Sequence, residues 1–470
     1  MLRKGLKCTV SALGTVLILL LTAAIFRRGL LTTSSSLPRV PQEQDDVAPK
    51  GANGNEHDSI SVSTPDTAPI APSSDVFGLL EGEMSERYRQ IFSTSTADKK
   101  YFLIQFGELE AINPSIIPHP GLENTWIIVA QQQRSSVPNS VWFAELVCNA
   151  VFKDGSLQCI QPPVILPIAA TPSTAGKCVD ELEYFSFSIG PHDARVFYGP
   201  NAAYTVYGSN SEYTCFGQWI HDFRVLVDWG YEPFGSNEFR KATEIWRPAP
   251  YGLIEKNWFV FWDKHGQMYV HYDIAPKRAF AKLEFSGTVS EDLAPLAISN
   301  DEKCMEKYMP KVALELESIH QATNLLSITL CKREDPTCEP NDSNTFIFTI
   351  FQHKAFYSFH SIYEPYVMLF KQTTPFGIHG VSTKPLWIHG RGKPGQGKKP
   401  AKLTPQAAQS WSQTEMFYVT SMSWKTHGQR YHGYIDDVLF IGFGIEDSKT
   451  AGVDTVAGNL LLDLSLCSAS

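Results

Sequence analysis

No Asp-x-Asp occurs among the 470 residues, which speaks against the usual Mn²⁺-dependent nucleotide-sugar transferase, where paired acids hold a metal diphosphate. A Walker loop, Gly-x-Ser-x-Gly and His-Glu-x-x-His are also missing. Those absences exclude a P-loop, a nucleophile elbow and a zincin helix. Without a Cys-x-x-Cys there is no zinc knuckle. His353, His360, His379, His389 and His427 are scattered without metal-ligand spacing on one short element, so neither a metal nor another cofactor is expected. Basic charge is scarce as well. The formal net charge is −9, and Arg3, Lys4, Lys7, Arg27 and Arg28 account for +5 with no acid among residues 1–28, so the rest carries −14. An acidic body of that kind is a poor partner for nucleic acid.

What is abundant is aromatic, glycine and proline. Aromatics make up 12% and hydrophobic residues 43%, enough for one large core or two ordinary ones, and the mix suits an all-β chain with many turns. Cys8 through Phe26 form an uncharged apolar stretch between basic flanks, near the minimum of roughly 17 residues for a bilayer span. A signal peptide cut after Thr22-Ala23-Ala24 is the rival reading, but the apolar run is long for one. The flanking charges favour a cytoplasmic tail (1–7), a signal anchor (8–26) and a single-pass type II membrane protein. Residues 27–75, rich in Ser, Thr, Pro, Asp and Gly, read as a disordered stem. Residues 76–470 would then be a luminal body in the Golgi or another secretory compartment. Eight cysteines besides Cys8 agree with an oxidising location. Asn341-Asp342-Ser343 is the one glycosylation sequon, in a polar loop.

Residues 81–92 suggest a short helix. From Tyr101 on, strand-rich blocks recur at 101–160, 182–228, 254–290, 314–370 and 411–445, which suggests a five-bladed β-propeller, with a pair of β-sandwiches as the alternative. Asp154-Gly155 signals a two-residue hairpin turn that pairs position 150 with Cys159, so a Cys148–Cys159 bridge would need a longer loop. The basic segment 391–402 reads as a solvated connection or a lid over a phosphorylated donor.

Two constellations carry chemistry. Residues 258–263 and 267–273 are aromatic and β-branched runs split by Lys264-His265-Gly266, a hairpin into which Glu255-Lys256-Asn257 leads. In Gly190-Pro191-His192-Asp193-Ala194-Arg195 a turn delivers an acid and, two residues on, a cation to one face of a strand. The competing reading of the second is a structural Asp–Arg pair. The first resembles the Glu-Lys-Asn-Trp element, and the second the Gly-x-Glu-Asp-Pro-Arg signature, of five-bladed propeller enzymes acting on mannosides. These are the fungal β-mannosyltransferases with their glycosidase and mannoside-phosphorylase relatives. His192 and Ala194 depart from the signature's Glu and Pro.

The resemblance implies that Asp193 contacts the sugar at the reacting centre. Arg195 and Lys256 would hold the phosphate or nucleotide leaving group, and Asn257 a sugar hydroxyl. Charge placement of that kind suits an oxocarbenium-like transition state. Glu255 belongs to the same element, and Trp258 or Trp262 would stack on a sugar unless they pack in the core. His271, Asp273, Lys277 and Arg278 read as a further anion pocket or as ordinary surface charge. His432 with Asp436 and Asp437 reads as the source of a second carboxylate for general-base work in a common cleft with Asp193, or as a turn capped by its acids. The expected activity is metal-independent transfer of a hexose, mannose first, from a phosphorylated donor to a glycan. Hydrolysis or phosphorolysis of mannosides and a non-catalytic glycan- or protein-binding propeller are the alternatives.

Overall fold

The computed structural model describes residues 84–132, 143–171, 176–187, 190–227, 238–313, 315–357, 360–399 and 411–467. The anchor stretch and the stem lie outside them, and among the described residues no helix is long and apolar enough to cross a membrane. The described chain is all-β, with sheets of nine, seven, four, three and two strands, and its antiparallel pairings fall into five units in sequence order, the first and fifth within the nine-stranded sheet. The first runs through Ala111–Pro118, Trp126–Gln132, Glu145–Lys153 and Ser156–Cys159. The second comprises His192–Tyr198, Ala203–Asn210, Phe216–Asp222 and Thr243–Ile245. The third comprises Phe259–Trp262, Met268–Asp273 and Ala279–Lys282.

In the fourth, Glu317–Gln321 and Leu326–Thr329 both pair with the long strand Thr345–Tyr357, and His360–Lys371 and Ile378–Ser382 follow. The fifth holds Phe417–Trp424, Val438–Ile445 and Lys449–Val456. Phe102–Gln105, from far earlier in the chain, pairs antiparallel with Lys449–Val456 and parallel with Ser156–Cys159, tying the fifth unit to the first. Residues 84–87 are helical, but the rest of the expected helix gives way to the strand Arg89–Ile91, which pairs with Leu386–Ile388.

Runs of aromatic and β-branched residues, buried along most of their length, explain why these segments pair. The aromatic hairpin expected at 258–273 forms, with Phe259 opposite His271 and Trp262 opposite Met268. Its side chains are consumed by the core. Phe261 lies between Tyr269, Phe280, Phe370 and Phe376, and both Trp258 and Trp262 are buried. Neither tryptophan presents a face to a sugar, because the inner packing claims both.

All eight described cysteines are bridged, as Cys148–Cys159, Cys178–Cys215, Cys304–Cys467 and Cys331–Cys338. The turn at Asp154-Gly155 pairs Ala150 with Cys159 as expected. The bridge to Cys148 nevertheless closes across 5.7 Å between Cα atoms without a longer loop. Position 148 is the diagonal neighbour of 159 on the same sheet face, a separation a disulfide can span.

Candidate functional site

Three successive units lead into their first strand through a residue in the left-handed region: Asn113 (φ 56°), Asp193 (φ 52°) and Asn257 (φ 63°). Asn and Asp tolerate that conformation better than other side chains with a Cβ. At the first two the pairing register slips, between Ile112 and Ser115 and between His192 and Arg195. Such bulges turn a side chain out of the sheet's alternation.

Side chains from neighbouring units hold these strand starts together. The Gln131 side-chain oxygen accepts from the Asp193 N–H (2.9 Å), Gln218 from Trp258 N–H (3.2 Å) and Gln352 from Val419 N–H (2.9 Å). Ser115 Oγ accepts from Val196 N–H (3.1 Å), and the Thr420 and Ser421 hydroxyls both donate to the Pro114 carbonyl at 2.8 Å. Arg195 Nε reaches the Ala322 carbonyl of the fourth unit (3.4 Å), skipping the third. The first strands of several units are therefore bonded to one another, and Asp193 takes part through its N–H.

The Asp193 carboxylate accepts from Asn113 Nδ2 at 2.6 Å and lies 3.8 Å from Arg195 Nη1, which donates instead to the Asp193 carbonyl (3.0 Å). Its side chain is 38% exposed, whereas that of Arg195 is 3% exposed. Arg195 Nη2 has no hydrogen-bond partner among the described residues. Asp193, Arg195, Lys256 and Asn257 line one cleft with His192, Gln218 and Phe216. The enclosed space is about 20 Å³, room for a water rather than a sugar ring, so a larger ligand must lie across its open side. Phe216 reaches this wall because Gly208 leaves space: a Cβ there would run into the Phe216 ring.

The remaining expected residues separate into distinct places. Glu255 braces the loop before the cleft, accepting from Arg247 Nη2 (2.7 Å), Arg247 Nε (3.1 Å) and Gly252 N–H (2.6 Å). His271 and Arg278 lie in the core behind it and do not form an anion pocket with Lys256. Arg278 Nε donates to His271 Nε2 (3.0 Å), while its Nη1 donates to Asp301 (3.0 Å) and to the Phe376 carbonyl (2.6 Å). Burial, helped by the Arg278 charge, holds the His271 imidazole well below its ordinary range, so it is neutral. A register slip between His271 and Asp273 breaks the alternation expected to put them on one face. Burial pushes the Asp273 carboxyl up, and the Glu255 and Asp292 charges add to this against Arg247.

His432, Asp436 and Asp437 sit beside Val438–Ile445, where Leu439 pairs with Trp424, at the end of the fifth unit remote from Val419. Arg333 grips Asp437 with two bonds (2.6 and 2.8 Å), and its backbone N–H donates to Asp436 (2.8 Å). His432 Nε2 contacts Thr329 Oγ1 at 2.8 Å. The structure thus does not bring these acids to Asp193. Asn341 is exposed. Gly390-Arg391-Gly392-Lys393-Pro394-Gly395 has the spacing of a dinucleotide fingerprint, yet it follows no long strand, and Arg391 turns inward to the Glu415 carbonyl (2.9 Å).

The carboxyl that does approach Asp193 is Glu145, an acid in an apolar strand. It is fully buried, one oxygen accepts from the Ala194 N–H (3.0 Å), and the other has no hydrogen-bond partner among the described residues. Burial pushes it well above the usual carboxylate range, and the Asp193 charge adds to this. Its only sequence signal is a lone charge within Ala144-Glu145-Leu146-Val147.

A larger groove, about 830 Å³, opens between the first and fifth units, lined in part by Trp126, Phe152, Lys425 and His427. Of its two lysines, Lys153 and Lys425, the second is already committed to Asp454 (2.6 Å).

No protein-family model and no curated protein matches the sequence. Among solved structures, the chain is similar to a β-1,2-mannobiose phosphorylase from Listeria innocua (9% identity, 79% of this chain, 96% of that one, TM-score 0.40). It is also similar to two proteins from Leishmania mexicana. One is a mannose phosphorylase in complex with phosphate ion (9%, 84%, 96%, 0.39). The other is a GDP-Man-dependent mannosyltransferase (8%, 81%, 94%, 0.37). The set also includes glycosidases such as a β-xylosidase. Likeness at this level does not extend to what the chain acts on.

Proposed function

We propose that each of the five units is one blade of a β-propeller. We further propose that the cleft at their converging strand starts transfers a hexose, mannose first, from a phosphorylated donor to a glycan without a metal. The observation that carries this is the meeting of Asp193, Arg195, Lys256 and Asn257 in one cleft. A buried guanidinium with a free Nη2 beside a lysine is suited to a phosphate oxygen. The exposed Asp193 carboxylate would face the sugar and take the acceptor hydroxyl's proton as the new C–O bond forms. The phosphate would leave with the electron pair of the old bond, its charge met by Arg195 and Lys256. Asn257 would bind a sugar hydroxyl. Phosphorolysis is the second reading, favoured by the same two cations, which would then hold inorganic phosphate as the nucleophile. Four disulfides support a luminal or extracellular body, which we place behind a single-pass anchor.

Thermal stabilisation of the full-length protein tests the reading with GDP-mannose, mannose 1-phosphate, inorganic phosphate and neutral mannosides, beside Asp193→Asn and Lys256→Ala. Stabilisation by a phosphorylated sugar that Lys256→Ala removes is the expected result. Stabilisation by phosphate with a mannoside, but by neither sugar donor, would move the assignment to phosphorolysis. Stabilisation by neutral glycans alone, unchanged in both variants, would replace the enzyme with a glycan-binding propeller.

A further inference from the structure

The rim around the cleft carries three aromatic side chains that the core does not use up. The Tyr213 ring stacks on Trp246 (centroids 4.9 Å apart, planes at 25°) and meets Tyr251 at 5.8 Å and 49°. Tyr213 is 36% and Tyr251 37% exposed, and the adjoining Leu253 is exposed as well. Tyr213 follows Ala203–Asn210 and precedes Phe216–Asp222, while Trp246 and Tyr251 lie between Thr243–Ile245 and Phe259–Trp262. Both connections therefore belong to the end at which Asp193 and Asn257 start their strands.

The backbone beneath these rings is held from several sides. Ser211 Oγ accepts from the N–H groups of Tyr213 (2.9 Å) and Thr214 (3.0 Å) and is itself bonded to Glu244. Thr214 Oγ1 donates to the Gly252 carbonyl (2.5 Å), and the next residue, Cys215, is bridged to Cys178. Trp246 exchanges backbone bonds with Gly287 and Val289, each at 3.0 Å. Exposed rings on a braced backbone lose little freedom when they bind.

The platform is continuous with the cleft. Phe216, which lines it, comes three residues after Tyr213, a path of about 11 Å at most. Phe216 also accepts from the Glu255 N–H at 2.8 Å, just ahead of Lys256. The charge differs between the two places. The cleft is lined by Arg195 and Lys256, whereas the rim carries the exposed Glu212, whose carbonyl accepts from Lys177 Nζ, and Arg247 is taken by Glu255. A phosphorylated ligand belongs in the first, and a neutral ring with a C–H face suits the second.

We propose that Tyr213, Trp246 and Tyr251 form a stacking platform for a neutral pyranose of the acceptor glycan, beside the cleft that takes the charged donor. This deepens the transferase reading and rests on it only for the role of acceptor, since stacking a neutral sugar needs no donor. Linear mannotriose and xylotriose, neither carrying phosphate, are titrated into the full-length protein and followed by tryptophan fluorescence and saturation-transfer NMR. Trp246→Ala and Tyr251→Ala should each weaken binding about three- to ten-fold. Tyr251→Phe, which keeps the ring, should leave it unchanged. Unchanged affinity in both alanine variants, or no binding by the wild type at millimolar sugar, would overturn the platform. A wild type that binds neutral sugar through these rings but is not stabilised by any phosphorylated ligand would sink the donor reading and leave the platform standing.

Discussion

The chain contains the tripeptide pattern Asp-x-Arg twice within one unit, and the two copies end in opposite states. In Asp222-Phe223-Arg224 the pair closes on itself. Arg224 Nη2 and Nε donate to the carboxylate at 2.7 and 2.9 Å, the Arg224 N–H adds a third bond at 3.0 Å, and the side chains are 0% and 2% exposed. In Asp193-Ala194-Arg195 the nearest approach is 3.8 Å and the acid faces solvent. Backbone conformation separates them. Asp222 has φ −65° and caps a short 3-10 turn that folds the arginine back. Asp193 has φ 52° in a bulged strand, which turns its carboxylate toward Asn113 and the cleft. An ion pair that satisfies itself is structure; one held apart by the backbone keeps capacity for a ligand.

The contrast breaks most sharply in Asp222→Ala. Stranding a fully buried guanidinium should cost about 3–5 kcal/mol, read as a lowered urea midpoint. Asp454→Asn is next. Burial pushes that carboxyl up, but bonds from Lys425, Ser93, Thr94 and Ser95 outweigh it and hold it at about 2 against the ordinary 3.8. A depressed carboxyl stabilises the fold above its unfolded value and loses that contribution as pH falls toward 2. The variant should therefore be about 2 kcal/mol weaker at pH 7, with the gap closing between pH 4 and 2.

Glu145→Gln should show a slope of the opposite sign. Its carboxyl is raised, so it favours the fold below the ordinary value of 4.5 and loses that contribution as pH rises through its folded value. The glutamine variant should gain on the wild type as pH rises, and a difference flat with pH would show that Glu145 is not held in its protonated form. The smallest effect belongs to Asp193→Asn. A partly exposed acid 3.8 Å from its cation should leave the urea midpoint within about 0.5 kcal/mol of wild type. If Asp193→Asn costs as much as Asp222→Ala, the Asp193–Arg195 pair is structural after all.

Much of the strand pattern was legible because it is local. The aromatic hairpin at 259–273 and the Ala150–Cys159 pairing follow from aromatic and β-branched runs and from turn chemistry within a few residues. Two short motifs also pointed to Asp193, Arg195, Lys256 and Asn257, which share the cleft. Illegible were Glu145, which approaches the site from the first unit, and the rim aromatics, whose neighbours come from separate loops. Asp436 and Asp437 were readable as polar turn residues, but not as partners of Arg333, which lies in another unit.

The sequence by itself determined an all-β chain, the places of its turns, eight cysteines besides Cys8 and two charged motifs at strand starts, since each depends on residue type and short spacing. Only the tertiary structure decided which acid faces solvent and which is sealed. That depends on contacts between units, such as Arg195 to Ala322 or Gln352 to Val419, which join residues 127 and 67 positions apart, beyond the reach of any local pattern.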